Sequence, residues 1–263
     1  MSSAPIGVFD SGIGGFSILH GIRELLPHES LIYVADSRHA PYGPKDDTFV
    51  RMRSFHIVEH LRSQQIKAVV VACNRATAAA IADLRARYDM PVIGVEPAVK
   101  PAAEQSKSGV VGVLATSGTI ASDKFFNLQS RFTHRVEILT RAGTGLVELI
   151  EQPDFDESAL LNLLECYIKP MQEKGADTLV LGCTHYSLIK TQIAQVAGPD
   201  MRIIDAGTAV AKELQRRLVA AGLDTLGQQR GSLQFLTSGE PAVLGQLLKR
   251  YWPEPVTSLA AFE

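Results

Sequence analysis

Along the chain, short apolar runs recur, and each stops at small, polar or glycine-containing residues. They fall at 6–9, 31–34, 68–72, 92–95, 110–114, 136–139, 178–181 and 202–204. Within them the apolar residues follow one another without in–out alternation, the pattern of parallel strands covered on both faces. Between the runs the period changes. In residues 46–63, Val50, Ser54, Ile57 and Leu61 stand at offsets of 0, 4, 7 and 11, one stripe of a helix. Leu160, Leu164, Tyr167 and Met171 repeat that spacing within 159–174. Strand alternating with helix predicts an α/β fold of mostly parallel sheets flanked by helices.

The two halves echo each other. Residues 68–74 and 178–184 each read as a buried strand ending in a cysteine, Cys73 or Cys183, followed by a small polar residue. Residues 6–12 resemble 111–117 in the same way. Two similar lobes are therefore expected: 1–97 with a returning segment 209–263, and 98–208. Residues 235–239 read as one further strand end. Ligands of open α/β sheets bind outside the carboxyl ends of the strands, so a cleft shared by the lobes is the expected site.

Composition narrows the class. The 263 residues favour one large or two modest domains, and 46% hydrophobic with 21% charged residues argues against disorder. Lys and Arg number 26 against 28 Asp and Glu, a net charge of −2 with no overall pull on nucleic acid or anionic lipid. No apolar run approaches the roughly 20 residues that cross a bilayer. The N-terminal residues lack a basic segment followed by an apolar stretch, so no secretory signal is expected. The three cysteines are far apart and form no C-x-x-C pair, which excludes a disulfide framework and a zinc knuckle. A soluble protein of a reducing compartment is expected.

Cys73 and Cys183 each end a strand and precede a residue suited to capping a helix. A thiol at a helix N-terminus has its pKa lowered by the local dipole. Two such thiols facing each other suit two-base chemistry at one carbon: one thiolate removes a proton and the opposite thiol returns one. The alternative is two buried core cysteines. His185, two residues beyond Cys183, is placed to act as acid, base or orienting group. Cys166 lies mid-helix beside an apolar stripe and reads as packing.

Two other patterns carry less. Asp10-Ser11-Gly12-Ile13-Gly14-Gly15 looks like a dinucleotide fingerprint, but Ser17 occupies the third glycine position and only Asp36 stands near the place of a ribose-binding acid. Small residues there instead let backbone N–H groups approach a carboxylate. His56, Glu59 and His60 fit H-x-x-E-H, yet they flank the Val50/Ile57/Leu61 stripe with no third ligand, and read as a solvated helix face. No metal is expected.

Taken together, seven pieces resemble the aspartate/glutamate racemase family, in its glutamate racemase branch. They are 7–15, Ala35-Asp36, Pro41-Tyr42-Gly43, Ala72-Cys73-Asn74, 94–101, 112–119 and Leu181-Gly182-Cys183-Thr184-His185, in family order from residue 7 to about 210. The resemblance implies two α/β lobes enclosing L- or D-glutamate, with no cofactor. It implies that Cys73 takes the α-proton of D-glutamate and Cys183 that of L-glutamate. Asp10 and His185 would assist the thiols, Glu151 would support His185, and Ser11, Tyr42, Gly43, Asn74, Thr116 and Thr184 would hold substrate with Asp10 and His185. It further implies a cytoplasmic bacterial homodimer that supplies D-glutamate for peptidoglycan.

One departure touches this site. Where the family reads C-N-T-A-[ST]-A, this chain has Arg75 in place of the threonine. Arginine is longer, permanently charged, and carries five donors and no acceptor. In the first turn of a helix it opposes the macrodipole by roughly a few tenths of a kcal/mol. Two outcomes are open: an outward side chain that leaves a working site, or an inward one that pairs with a substrate carboxylate or a neighbouring acid and retunes or blocks turnover. Residues 141–145, Arg-Ala-Gly-Thr-Gly, replace a Cys-Pro pair of relatives and are expected away from the chemistry. The rival functions are a racemase of a related acid such as aspartate, an acidic amino-acid-binding or regulatory protein, and a thiol redox protein, which would lack a neighbouring resolving cysteine.

Overall fold

The computed structural model describes residues 2–154 and 156–263. Met1, at the start of the expected first lobe, and Phe155, within the expected second, lie outside the described residues. Among the described residues ten strands are formed: β1 (Ile6–Asp10), β2 (Leu31–Ala35), β3 (Ala68–Val71), β4 (Val92–Gly94), β5 (Val110–Ala115), β6 (Glu137–Ala142), β7 (Thr178–Gly182), β8 (Arg202–Ile204), β9 (Leu233–Thr237) and β10 (Leu259–Ala261). They build two sheets, ordered β10-β9-β2-β1-β3-β4 and β6-β5-β7-β8. Every pairing among the described residues is parallel. The order β4-β3-β1-β2 in the first sheet is repeated as β8-β7-β5-β6 in the second, which gives the half-to-half echo its spatial meaning.

All eight apolar runs form strands, and 235–239 contains the end of β9. The missed strand, β10, has three residues, half-exposed or exposed throughout, and its Leu-Ala-Ala stretch is short and built mostly of alanine, so it carries a weak strand signal. β6 lies at a sheet edge with no fully buried residue, which explains its weaker apolar signal.

Helix Asp47–Ser63 opens where Asp46 accepts a hydrogen bond from the Phe49 N–H at 2.8 Å. It buries Val50, Ser54, Ile57 and Leu61, and Ser54 Oγ donates to Val50 O at 2.8 Å, so its hydroxyl is satisfied inside the stripe. Helix Glu157–Glu173 buries Leu160, Leu164, Ile168 and Met171. Ile168 takes the place expected for Tyr167, whose hydroxyl instead donates to Thr144 O at 2.7 Å. Cys166 is exposed, so its reading as a packing residue is corrected: it stands two positions from Leu164 and Ile168, off the buried face.

The lobes share a core. One apolar cluster runs from Ile6, Val8 and Tyr33 through helices Phe16–Leu25 and Gly207–Ala221 to Leu164, Leu179 and Tyr186 of the second lobe. Separate clusters fill the outer face of each sheet. This common interior sets the separation of the two carboxyl edges.

Asp177, just before β7, organises the turn leading into β5. Its carboxylate accepts from Ser106 Oγ at 2.7 Å, the Lys107 and Ser108 N–H groups at 2.6 and 2.8 Å, and Thr178 Oγ1 at 2.9 Å. Burial works against its charge, but these donors prevail and hold the pKa at about 2. The resulting stabilisation is complete above the ordinary carboxylate pKa of about 3.9 and is lost as pH falls toward 2. Asp177→Ala is expected to cost about 1–3 kcal/mol in urea unfolding at pH 7. The gap between variant and wild type should close progressively below about pH 4.

Candidate active site

The functional side chains gather where the strands of both sheets end. Phe9 is paired with Val71, and continuing that register sets Ser11 level with Cys73. Ala115 is paired with Gly182, which sets Thr116 level with Cys183. Each cysteine is then the residue before a helix, Asn74–Arg87 or Thr184–Leu188. The cleft between them spans about 280 Å³ of empty space, part of it open to solvent, with Ser11, Tyr42, Cys73, Asn74, Thr116 and Cys183 among its lining. Gly43, Arg75, Thr184 and His185 complete the expected set that lines it. Asp10 and Glu151 stand directly behind.

The two thiols are backed differently. Cys73 Sγ is 3.9 Å from Ser11 Oγ and accepts from the Ala76 N–H at 3.5 Å. Asp10, wholly buried, accepts from the Ser11 N–H at 2.6 Å and Thr184 Oγ1 at 3.0 Å. Burial pushes the Asp10 carboxyl up, against the opposing pull of His185. Burial, and then the Asp10 charge, push the Cys73 thiol well above its usual value. The expectation that the helix N-terminus would lower this pKa is therefore corrected: the Ala76 N–H acts in that direction and is outweighed.

On the other side His185 Nδ1 lies 3.9 Å from Cys183 Sγ, and its Nε2 lies 2.6 Å from Glu151 Oε1. Burial disfavours the imidazolium, but the hydrogen bonds to Cys183 and Glu151 and the Glu151 charge lift its pKa well above the usual value. Glu151 Oε1 also accepts from the Ile13 N–H at 2.8 Å. The carboxylate that approaches the glycine-rich turn is thus the chain's own. A Cβ on Gly12 would stand 1.8 Å from Glu151 Oε1, and one on Gly14 would stand 2.3 Å from His185 Nδ1. Glycine is required there so that the second lobe can close onto Asp10.

Arg75 takes the inward course. It lines the cleft at 6% exposure, and its Nη2 donates to Lys45 O at 2.7 Å and pairs with Asp47 Oδ1 at 2.6 Å. Thr119 and Val147 also line the cleft and were not singled out from sequence; Thr119 Oγ1 lies 2.9 Å from Thr116 Oγ1. The signal for Thr119 was its place in the 112–119 motif, whereas Val147 carries no chemical mark. Asp36 is buried and held below the usual carboxylate range: against burial, Arg53 and the Tyr42 hydroxyl favour its charge. It anchors Tyr42, with Arg53 Nε and Nη2 at 3.0 and 2.8 Å. Segment 141–145 lies nearer the site than expected, since Gly143 and Thr144 line a hollow that shares Gly43, Thr116 and Val147 with the cleft.

The H-x-x-E-H residues serve the surface of helix Asp47–Ser63. The His60 ring packs edge-on against Phe262 at 4.7 Å between centroids, and Glu59 binds Arg62, Arg87 and the Tyr88 hydroxyl.

Comparison with known proteins bears on this arrangement. The sequence profile of the Asp/Glu/hydantoin racemase family matches residues 14–214. The chain is 51% identical to the glutamate racemase of Methylococcus capsulatus over 249 residues, 95% of this chain and 92% of that protein. It is similar in structure to a glutamate racemase isoform of Bacillus anthracis, with a TM-score of 0.89 and 31% identity, covering 100% of this chain and 98% of that one. It is also similar to Escherichia coli glutamate racemase solved with L-glutamate and the activator UDP-MurNAc-Ala, with a TM-score of 0.85 and 33% identity over 98% of each chain.

The His185–Glu151 pair yields a pH prediction. Glu151→Gln removes a charge that holds the imidazolium proton, so the His185 pKa should fall toward its ordinary value. NMR titration of the His185 ring should show the lowered pKa. An unchanged titration would mean that Glu151 does not hold that proton.

Proposed function

This chain belongs to the Asp/Glu/hydantoin racemase family and racemises glutamate, and we propose that it does so without a cofactor, by proton transfer through Cys73 and Cys183. The observation that carries this reading is the pair of thiols lining one cleft from two different sheets, each with its own acid–base support.

In the L-to-D direction the Cys183 thiolate takes the α-proton and becomes a thiol. The C–H electron pair stays on the substrate, shared between Cα and its carboxylate. The Cys73 thiol then gives its proton to the opposite face of Cα and is left as the thiolate. That product form is the one that accepts D-glutamate in the reverse direction. A raised Cys73 pKa suits the proton-donating role, and an imidazolium at His185 stabilises negative charge on the facing sulfur. Asp10, held up by burial, supports Cys73 as Glu151 supports His185.

The α-proton of an amino acid is weakly acidic, so the developing charge on the carboxylate needs fixed donors and a site closed to water. Ser11, Asn74, Thr116, Thr119 and Thr184 supply donors around the cleft. The near-full-length relationship to a glutamate racemase supports turnover over the binding-only alternative, and glutamate over aspartate. Homodimer formation, a cytoplasmic location, supply of D-glutamate to peptidoglycan, and a lobe division at 1–97 with 209–263 against 98–208 complete the reading. They rest on the resemblance and the two-sheet arrangement. Among the described residues no helix is long and apolar enough to cross a membrane.

Cys73→Ala and Cys183→Ala test the mechanism. Each should lower racemisation by about a hundredfold or more, the scale of a lost general acid or base. Circular dichroism of either glutamate enantiomer follows the reaction. Near-normal turnover by either folded variant would contradict the two-thiol scheme.

A further inference from the structure

Arg75 is tied down at one nitrogen only. Nη2 is shared between Lys45 O and Asp47 Oδ1, whereas the buried Nε and Nη1 have no hydrogen-bond partner among the described residues. A buried cationic donor without a partner is costly, and such groups are ordinarily matched by an acceptor. The guanidinium lies against Gly118 of the second lobe, where a Cβ would stand 2.5 Å from Nε and 2.9 Å from Cδ. Among the described residues lining the cleft, Arg75 is the one with a permanent charge; the others are neutral or, like His185, titratable.

Placement decides which anion it meets. The reacting Cα must lie between Cys73 and Cys183. Arg75 lines the cleft, and its Nη2 pairs with Asp47, whose side chain is 62% exposed, so the guanidinium bridges the cleft lining and a surface residue. The charged end of an acidic amino acid farthest from Cα is its side-chain carboxylate. We propose that Arg75 is a specificity-determining residue that receives this carboxylate on its unpartnered Nε–H and Nη1–H groups, while Asp47 and Lys45 hold the guanidinium in place. The inference rests on the cleft being the glutamate site. It makes Arg75 a single residue that supplies both charge and donors to the side-chain carboxylate.

The test compares wild type with Arg75→Met, which keeps the length but removes charge and donors, and Arg75→Lys, which keeps the charge alone. Racemisation of L-glutamate gives kcat and KM, calorimetry gives its Kd, and competition gives the inhibition constant of L-glutamine, whose side chain ends in a neutral amide. Arg75→Met should raise KM and Kd for glutamate by at least roughly tenfold to a hundredfold, the scale of a single charge-assisted hydrogen bond where two are lost, with kcat changed far less. Arg75→Lys should fall between, and glutamine inhibition should hardly move. An unchanged Kd, or equal losses for glutamate and glutamine, would overturn the assignment and leave Arg75 a strut between the lobes. If Arg75→Met does not fold, as read from its melting, the same Kd comparison is made with Arg75→Lys, and an unchanged value again overturns it. Absent wild-type turnover would count against the racemase reading, whereas the calorimetric comparison tests Arg75 independently of turnover.

Discussion

The cleft depends on how closely the turn after β1 lets the second lobe approach Asp10. Gly12 and Gly14 leave the space that Glu151 and His185 occupy, and the Ile13 N–H binds the Glu151 carboxylate across the lobes at 2.8 Å. Thr184 returns the contact by donating to Asp10 at 3.0 Å. Each thiol is therefore supported partly through the opposite lobe. A shared apolar core behind the turn holds the two sheet edges at the separation these short bonds require. The local consequence is a buried, donor-rich space with the thiols on its walls, where hydrogen bonds and charges act more strongly than in water.

The supports are alike in kind and unlike in charge. Asp10 and Cys73 are two acids buried together, and burial pushes both toward their protonated forms. His185 and Glu151 form a base–acid pair in which the hydrogen bond and charge of Glu151 favour the protonated imidazole. In the proposed scheme a proton-donating thiol faces a sulfur backed by an imidazolium, and this inequality suits transfer across one carbon better than two identical groups would. The repeated strand order in the two sheets explains how this arises: the same strand-end position is used twice, and the residues behind it differ.

Much of this was legible in the sequence. Continuous apolar runs marked the strands, because parallel strands buried on both faces need no polar alternation. The paired cysteines at strand ends, with His185 beside one of them, marked the cleft. What escaped depended on contacts distant along the chain. The glycine turn resembled a nucleotide cradle because the demand for small residues is the same whether the approaching carboxylate belongs to a ligand or to Glu151. The raised Cys73 pKa needs knowledge of burial and of Asp10, 63 positions away in sequence. Arg75 could not be oriented without the positions of Lys45, Asp47 and Gly118. Cys166 was misplaced because the helical stripe is turned by one residue, from Tyr167 to Ile168.

The central claim is that one thiol takes the α-proton and another, carrying a proton from solvent, returns one to the opposite face. Conversion of L-glutamate in D₂O, stopped at low extent and followed by NMR on separated enantiomers, tests this most directly. The D-glutamate formed should carry deuterium at Cα while the remaining L-glutamate keeps its protium. D-glutamate that retains the original α-protium, or exchange into L-glutamate without inversion, would contradict transfer through two opposed thiols.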